Sequence, residues 1–170
     1  SQAFKYIAHQ PIINENADNI FKLSEAKNIS FLLDDSRYKS KAEMLQDIAA
    51  SNYDVVVINP LFQNQTPFSD TEVSSMRYKR NGARRLIIAM QNVSEAFKLH
   101  YYWQKDWNKT RPDWMIRQSF SSQDAFITRY WTAEWQKIIS DYTKSIVDSG
   151  YDGIFFTGIE NHRYFEHQAP

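Results

Sequence analysis

The stretch AEWQKIISDYTKSIVDSGYDGIFFT, residues 133–157, joins the clearest predicted helix of the chain to the strand that follows it. Gly150 supplies the left-handed position at which a helix commonly ends, and the apolar run at 154–156 then predicts a strand. A helix that leads through a glycine turn into an apolar strand is typical of parallel α/β folds. The residues at helical spacing are Trp135, Ile138, Ile139, Tyr142, Ile146 and Val147.

The rest of the chain repeats this alternation. Ser40 with Glu43, and Ser69 with Glu72, have the spacing of capping boxes at helix starts. Unbroken apolar strands between such helices indicate a parallel sheet buried on both faces. We predict strands at 4–13, 29–36, 53–60, 84–92, 124–131 and 152–159, and helices at 16–28, 41–51, 70–80 and 133–150.

The composition excludes several classes of protein. The 170 residues carry 20 basic and 20 acidic side chains, so the chain lacks the basic excess expected of a nucleic-acid-binding protein. The one basic run, residues 77–85, is a solvated helix end and turn or an anion-binding patch. Cysteine is absent, the four histidines lack metal-binding spacing, and we expect no cofactor. No stretch reaches the about 18 apolar residues of a membrane span.

Aromatic and polar side chains follow the predicted strands. The chain has five Trp and ten Tyr residues, many beside polar groups, and such surfaces suit the faces and edges of a pyranose ring. Glycoside cleavage usually needs two carboxyl groups that flank the scissile bond. Glu95 and Glu160 are the candidate catalytic pair, and the alternative is that each is a solvated loop residue.

Between residues 29 and 165 the sequence resembles the endo-α-1,4-polygalactosaminidases of glycoside hydrolase family 114 and their relatives. The resemblance is carried by NYDVVVINPLF (52–62), PFSDTEVSSMRYKRNGARRLIIAM (67–90), SEAFKLHYYWQKDWNKTRPDWM (94–115), FITRYWTAEWQKII (126–139) and SGYDGIFFTGIENHRYF (149–165). That family has a (β/α)₈ barrel and acts on amino-sugar polysaccharides of exported matrices.

The resemblance implies a TIM-type (β/α) barrel with a parallel sheet and helices outside. The family has further strands after the one ending at Thr157, so we expect an incomplete barrel of five or six strands. We expect residues 1–170 to form one glycoside-hydrolase-like barrel domain, in which 1–28 are an N-terminal extension or first strand–helix unit. An open sheet edge predicts a homo-oligomer or a second chain that covers it. The family also implies a secreted or periplasmic location.

The resemblance further implies a saccharide-binding site at the strand ends, with a polysaccharide or oligosaccharide as partner. Its candidate residues are Asn59, His100, Tyr102, Trp103, Arg129, Tyr130, Trp131 and Thr157.

Departures from the family pattern bear on activity. Asn59 and Thr157 stand where the family has Asp, and Phe97 stands where it has Glu. Threonine cannot protonate a leaving oxygen or attack as a carboxylate does. We therefore predict a hydrolase-like domain that has lost hydrolysis and binds carbohydrate or a partner. The alternatives are an active glycosidase acting on galactosamine-type exopolysaccharide through Glu95 and Glu160, and a structural protein without a saccharide ligand.

Overall fold

A computed structural model describes residues 6–168. The chain divides into two compact units. The first unit comprises the residues up to Met90 together with Ile146–Phe155, and the second comprises Gln91–Ser145 together with the residues from Phe156 onward.

The strands and α-helices alternate along most of the chain. The order is β1 (Ile29–Leu32), α1 (Lys41–Ala49), β2 (Val55–Ile58), β3 (Leu61–Phe62), β4 (Thr66–Pro67), α2 (Asp70–Ser75), β5 (Leu86–Asn92), β6 (Glu95–Phe97), β7 (Met115–Gln118), β8 (Ala125–Thr128), α3 (Ala133–Asp148), β9 (Gly153–Thr157) and α4 (His162–Glu166).

The main sheet is parallel and has the order β1-β2-β5-β9. One of its faces packs against α1 and α2, because alternate residues such as Val56, Ile58 and Ile87 share a buried cluster with Met44 and Ile48. The prediction of a parallel α/β sheet with external helices is confirmed. The sheet has four strands among residues 6–168, where five or six were expected.

The predicted strand at 124–131 forms, but in another sheet. β8 pairs antiparallel with β6 and with β7, so it belongs to a three-stranded sheet of the second unit. Its four residues are all buried, like those of a parallel strand. An apolar run therefore identified the strand but not its partners.

The N-terminal segment differs from the prediction. Within residues 6–28 only short 3₁₀ turns occur, at Ile7–His9 and Leu23–Glu25, and residues 4–5 lie outside the described residues. Side chains hold this segment extended: the Asp54 carboxylate accepts the Lys27 N–H at 2.8 Å, and the Asn28 side chain accepts the Asp54 N–H at 2.7 Å. These bonds replace the intrahelical bonds that a helix at 16–28 would need.

The capping box and the glycine at a helix end predicted helix boundaries better than apolar patterning predicted the N-terminal elements. Ser69 and Glu72 form the complete capping box of α2, although α2 ends at Ser75 instead of continuing to residue 80. Gly150 follows α3 with φ +83° and donates its N–H to the Val147 carbonyl. Val147, one of the apolar residues at helical spacing, is 60% exposed.

The core of the second unit is a cluster of tryptophans between the antiparallel sheet and α3. Trp107, Trp114 and Trp135 are buried, and ring centroids along this series are 5.1 and 5.0 Å apart. The Trp135 indole N–H donates to the Val93 carbonyl at 2.8 Å. These indoles stabilise the unit by packing against one another. Among residues 6–168, no helix is both long and apolar enough to cross a membrane.

Candidate functional site

Glu95 is the centre of a polar network in the second unit. It begins β6 and is 7% exposed. Its Oε1 accepts the Ser119 hydroxyl at 2.6 Å and the Asn161 amide at 3.3 Å, and its Oε2 accepts the Asn92 amide at 3.1 Å. Ser94 joins the network because its hydroxyl accepts a second Asn161 bond at 2.8 Å. We call these five residues the Glu95 cluster.

The backbone between β5 and β6 forms the cluster. The Asn92 side-chain oxygen accepts the N–H groups of Ser94 and Glu95, both at 3.0 Å, and so turns the chain just after β5. The Ser94 hydroxyl donates to the Gly158 carbonyl at 2.6 Å, which ties this turn to the segment after β9. Gly158 has φ +83°, and a Cβ there would lie 2.5 Å from Ser94 Oγ. Only glycine fits this close approach without displacement.

The cluster can hold a carboxylate rigidly, but it does not bring a second acid to it. Each oxygen of Glu95 already accepts a side-chain hydrogen bond. Glu160 lies in the 3₁₀ turn Ile159–Asn161 and is exposed. In the described part of the second unit, Glu95 is the only buried acid. Thr157, at the end of β9, contributes its carbonyl oxygen to a bond from the Val93 N–H.

An exposed aromatic group lies in the same unit. Trp131 is half exposed, and its ring centroid lies 4.7 Å from Phe165 and 5.1 Å from Tyr130. Tyr164 contacts Phe165 at 5.0 Å. We call these four residues the aromatic platform. It combines residues that follow β8 with residues of α4.

A pocket of about 460 Å³ is lined by one residue of the Glu95 cluster and one of the aromatic platform. Tyr130 of the aromatic platform and Ser94 of the Glu95 cluster both contribute to its wall, which is mainly apolar. The other lining residues are Val93, Trp135, Gln136, Ile139, Ser140, Gly158, Ile159 and His162. A flat molecule with an apolar face and a polar edge matches this lining.

Three of the sequence-predicted binding residues pack internally. His100 is buried, its ring stacks on Phe97 at 5.0 Å, and Tyr102 and Tyr142 meet it edge-on. Burial lowers the pKa of His100 to about 4. Burial likewise raises the pKa of the Tyr102 phenol.

Trp103 contacts Trp107 and Phe126 at 5.3 and 5.6 Å. Trp103 and Tyr102 both pack against the tryptophan cluster. Arg129 is exposed, donates to the Asp113 carbonyl and lines a second, polar pocket of about 580 Å³ with Glu134. The structure therefore places Tyr130 in the wall of one pocket and Arg129 in the wall of another. Asn161 and Trp131 contact residues of the first pocket, Ser94 and Tyr130, without lining it themselves.

Asn59 belongs to the first unit. It is buried, donates to the Asn64 side chain at 2.7 Å and accepts the Leu61 N–H at 2.9 Å, so its polar atoms hold the β3–β4 hairpin. Asp35, in the loop after β1, is also buried, and burial raises its pKa although it accepts the Gln63 N–H.

The sequence analysis missed the partners of Glu95. Asn92, Ser119 and Asn161 come from separate segments, and only Asn92 and Glu95 are near neighbours in sequence. An Asn three residues before the Glu is a weak signal of a turn that could have identified Asn92. Among residues 6–168, no three His, Asp or Glu side chains lie close enough together to hold a metal ion.

The comparisons with known proteins identify relatives at the level of the fold. No family model matches the chain. It is 26% identical over 151 residues to an uncharacterised protein of Methanocaldococcus jannaschii, covering 88% of this chain and 42% of that protein. It is 28% identical over 116 residues to an uncharacterised protein of Deinococcus radiodurans, covering 68% and 36%. The chain thus spans less than half the length of these relatives.

Two solved structures resemble it at 12% sequence identity. The glycoside hydrolase domain of PelA from Pseudomonas aeruginosa has a TM-score of 0.54, with 81% of this chain and 47% of that one covered. Ega3 from Aspergillus fumigatus, in complex with galactosamine, has a TM-score of 0.56, with 89% and 51% covered. The shared property is a fold. This chain has the architecture of about half of a glycoside hydrolase domain.

Proposed function

We propose that this chain is a glycoside-hydrolase-like domain that binds carbohydrate without cleaving it. The observation that carries the proposal is the contrast between the Glu95 cluster and the aromatic platform. The buried Glu95 carboxylate accepts three side-chain hydrogen bonds, whereas Trp131 of the aromatic platform is half exposed. A surface of this kind supports binding of a sugar ring more directly than its hydrolysis.

The engagement of Glu95 argues against acid catalysis. A glycosidase needs one carboxyl group to donate a proton and a second to attack or to activate water. Both oxygens of Glu95 already accept hydrogen bonds from the chain. The position at the end of β9 is Thr157, and Glu160 is exposed. We assign Glu95 the role of holding the Asn161 and Ser119 side chains in place.

The aromatic platform supports the binding half of the proposal. A half-exposed indole and a neighbouring phenol ring offer apolar area to a pyranose face, while Gln136, His162 and Ser140 supply polar atoms around the pocket. Since Ega3 was solved with galactosamine, oligomers of galactosamine are the first probes to use. A matrix polysaccharide as partner would place the protein outside the cytoplasm, and we propose that location as well.

An active glycosidase is the second candidate. The observation in its favour is that Glu95 is buried and held by three donors, as positioned enzymatic carboxylates are. In that case Glu160 would have to supply the second carboxyl group.

The test combines binding and cleavage. Tryptophan fluorescence is recorded while galactosamine oligomers are added, and release of reducing ends is followed in the same samples. We expect saturable binding without cleavage, and Trp131→Ala should weaken binding by about 10-fold, since stacking contributes on the order of 1–2 kcal/mol. Phe120→Ala is the matched control, because Phe120 is 76% exposed and lies outside the pocket.

The outcomes separate the candidates. Reducing ends that appear with the parent chain and disappear with Glu95→Gln would establish the glycosidase and refute the binding-only proposal. Absence of binding by any oligosaccharide tested would instead favour a structural protein. Equal binding by Trp131→Ala and Phe120→Ala would remove the aromatic platform from the proposed site.

A further inference from the structure

The pocket of the second unit has no carboxylate, ammonium or guanidinium group in its wall. Among the ten described residues that line it, none is Asp, Glu, Lys or Arg. His162 is part of the wall, and its Nδ1 donates to the Ile159 carbonyl at 2.7 Å. Because an imidazole is either neutral or positive, it does not attract a cation. The described lining therefore favours an uncharged ligand over a positively charged one.

Several acids adjoin the lining residues without lining the pocket themselves. Glu95 follows Ser94 in the chain, but it is buried, and both of its oxygens accept side-chain hydrogen bonds within the Glu95 cluster. The others are exposed, so water and salt screen their charges. These exposed acids are Glu134, Asp141, Glu160 and Glu166.

The wall also contains neutral polar groups that the fold does not use. The side chains of Tyr130, Gln136 and Ser140 make no hydrogen bond to any other residue within 6–168. Gln136 and Ser140 are four residues apart on α3, and Ile139 lies between them, so the three side chains share one face of the helix. This face offers the pocket an amide and a hydroxyl group beside an aliphatic side chain.

We propose that the pocket selects an N-acetylated amino sugar over the corresponding free amine, with Gln136 as the residue that determines this specificity. The selection rests on the proposed function, because it concerns which saccharide enters the same pocket. An acetamido group presents an N–H, a carbonyl and a methyl group, and it carries no charge. The Gln136 amide has the complementary acceptor and donors. Val93 and Ile139 supply apolar surface for the methyl group.

A free amino sugar matches this wall less well. At about pH 6 its amine is protonated, as an α-amino group with a pKa of about 8 is. An ammonium group that moves from water to a mainly apolar wall loses hydration and gains no carboxylate partner there. The acetylated sugar avoids this loss and gains one or two hydrogen bonds to Gln136. We expect it to bind about 10-fold more tightly, or better.

Paired oligosaccharides test the selection. Oligomers of N-acetylgalactosamine and of galactosamine, matched in length and linkage, are titrated at about pH 6 while tryptophan fluorescence is recorded. Trp135 lines the pocket and serves as a reporter. Gln136→Glu keeps the size of the side chain and adds a carboxylate. It should weaken binding of the acetylated oligomer by about 10-fold and strengthen binding of the amine, and added salt should reduce that gain.

Gln123→Glu is the matched control, since it adds the same charge at an exposed position outside the pocket and should leave the ratio of the two affinities unchanged. Gln136 is exposed and lies near the start of α3, where an acidic side chain is favourable, so we expect Gln136→Glu to fold. Circular dichroism checks this. If the variant does not fold, Gln136→Ala replaces it, and it should lose the preference for the acetylated oligomer without gaining affinity for the amine.

The outcomes separate the selection from carbohydrate binding itself. Galactosamine oligomers that bind the parent chain as tightly as the acetylated ones, or more tightly, would overturn the selection and leave carbohydrate binding established. An equal ratio of affinities in Gln136→Glu and Gln123→Glu would overturn the role of Gln136. Binding of neither oligomer would refute the proposed function together with the selection.

Discussion

Replacement of Gly158 by alanine tests whether the Glu95 cluster depends on the close approach of the backbone after β9. Gly158 has φ +83°, and an added Cβ would lie 2.5 Å from Ser94 Oγ and closer still to Asn92 Oδ1. Gly82 is a matched control because its φ is +88° and nothing lies within 4 Å of an added Cβ. The two positions share the backbone conformation and differ in their surroundings.

The expected free energies follow from this difference. A left-handed alanine costs about 1–2 kcal/mol, partly offset by about 0.4–1 kcal/mol because the unfolded chain loses freedom. Gly82→Ala should therefore lower the free energy of unfolding by about 1 kcal/mol. In Gly158→Ala the Ser94 and Asn92 side chains must also move. Loss of the Ser94–Gly158 and Asn92–Glu95 hydrogen bonds adds about 0.5–1.5 kcal/mol each, for a total of about 2–4 kcal/mol.

Urea unfolding followed by tryptophan fluorescence measures both changes. Folded Gly158→Ala should also bind galactosamine oligomers more weakly than Gly82→Ala, since the turn that carries Glu95 is displaced. Equal losses of stability in the two variants would refute the argument, because the left-handed backbone alone would then account for the whole effect.

Two further predictions concern buried groups. Lys79→Met should lower the free energy of unfolding by about 3–5 kcal/mol, because it leaves the Asp54 carboxylate without its cation in a pair whose side chains are 0% exposed. Lys137→Met, at an exposed ion pair, should change it by less than about 1 kcal/mol. His100 has a folded pKa of about 4 against 6.5 unfolded, so the unfolded state binds more protons between these values, and stability should fall by up to about 3 kcal/mol as pH drops through this window.

Chemical unfolding at a series of pH values checks the histidine prediction. His100→Gln should have a flatter profile between pH 6.5 and 4 than the parent chain. If His100→Gln and the parent chain show the same dependence of stability on pH, groups other than His100 cause the loss of stability in acid. For the buried ion pair, a comparable loss of unfolding free energy in Lys79→Met and Lys137→Met would contradict the claim that burial makes the Lys79–Asp54 pair more important for stability.

Local sequence signals predicted the strands β1, β2 and β5 and the helices α1 and α2 of the first unit. The sequence runs that form β2 and β5 are apolar at successive positions, so both faces of each strand are apolar. Strands of this kind are stable in a sheet that is covered on both faces, and such sheets are usually parallel, as the β2–β5 pair is. The Ser69–Glu72 box and the glycine after α3 satisfy backbone groups within a few residues, so no distant contact was needed to identify them. The N-terminal helix failed because Asp54, far along the chain, binds its backbone.

In the candidate site, too, some features could be predicted from nearby sequence and others could not. Apolar patterning in the sequence placed Glu95 just after the strand at 84–92 and Tyr130 and Trp131 at the end of the strand at 124–131, and the structure has β5 ending before Glu95 and β8 ending before Tyr130. The structure was needed to show that Trp103 packs internally while Trp131 is half exposed, and that Asn161 and Ser119 bind Glu95. Burial and side-chain hydrogen bonding depend on which distant segments meet, and a residue's type and neighbours in sequence do not contain that information.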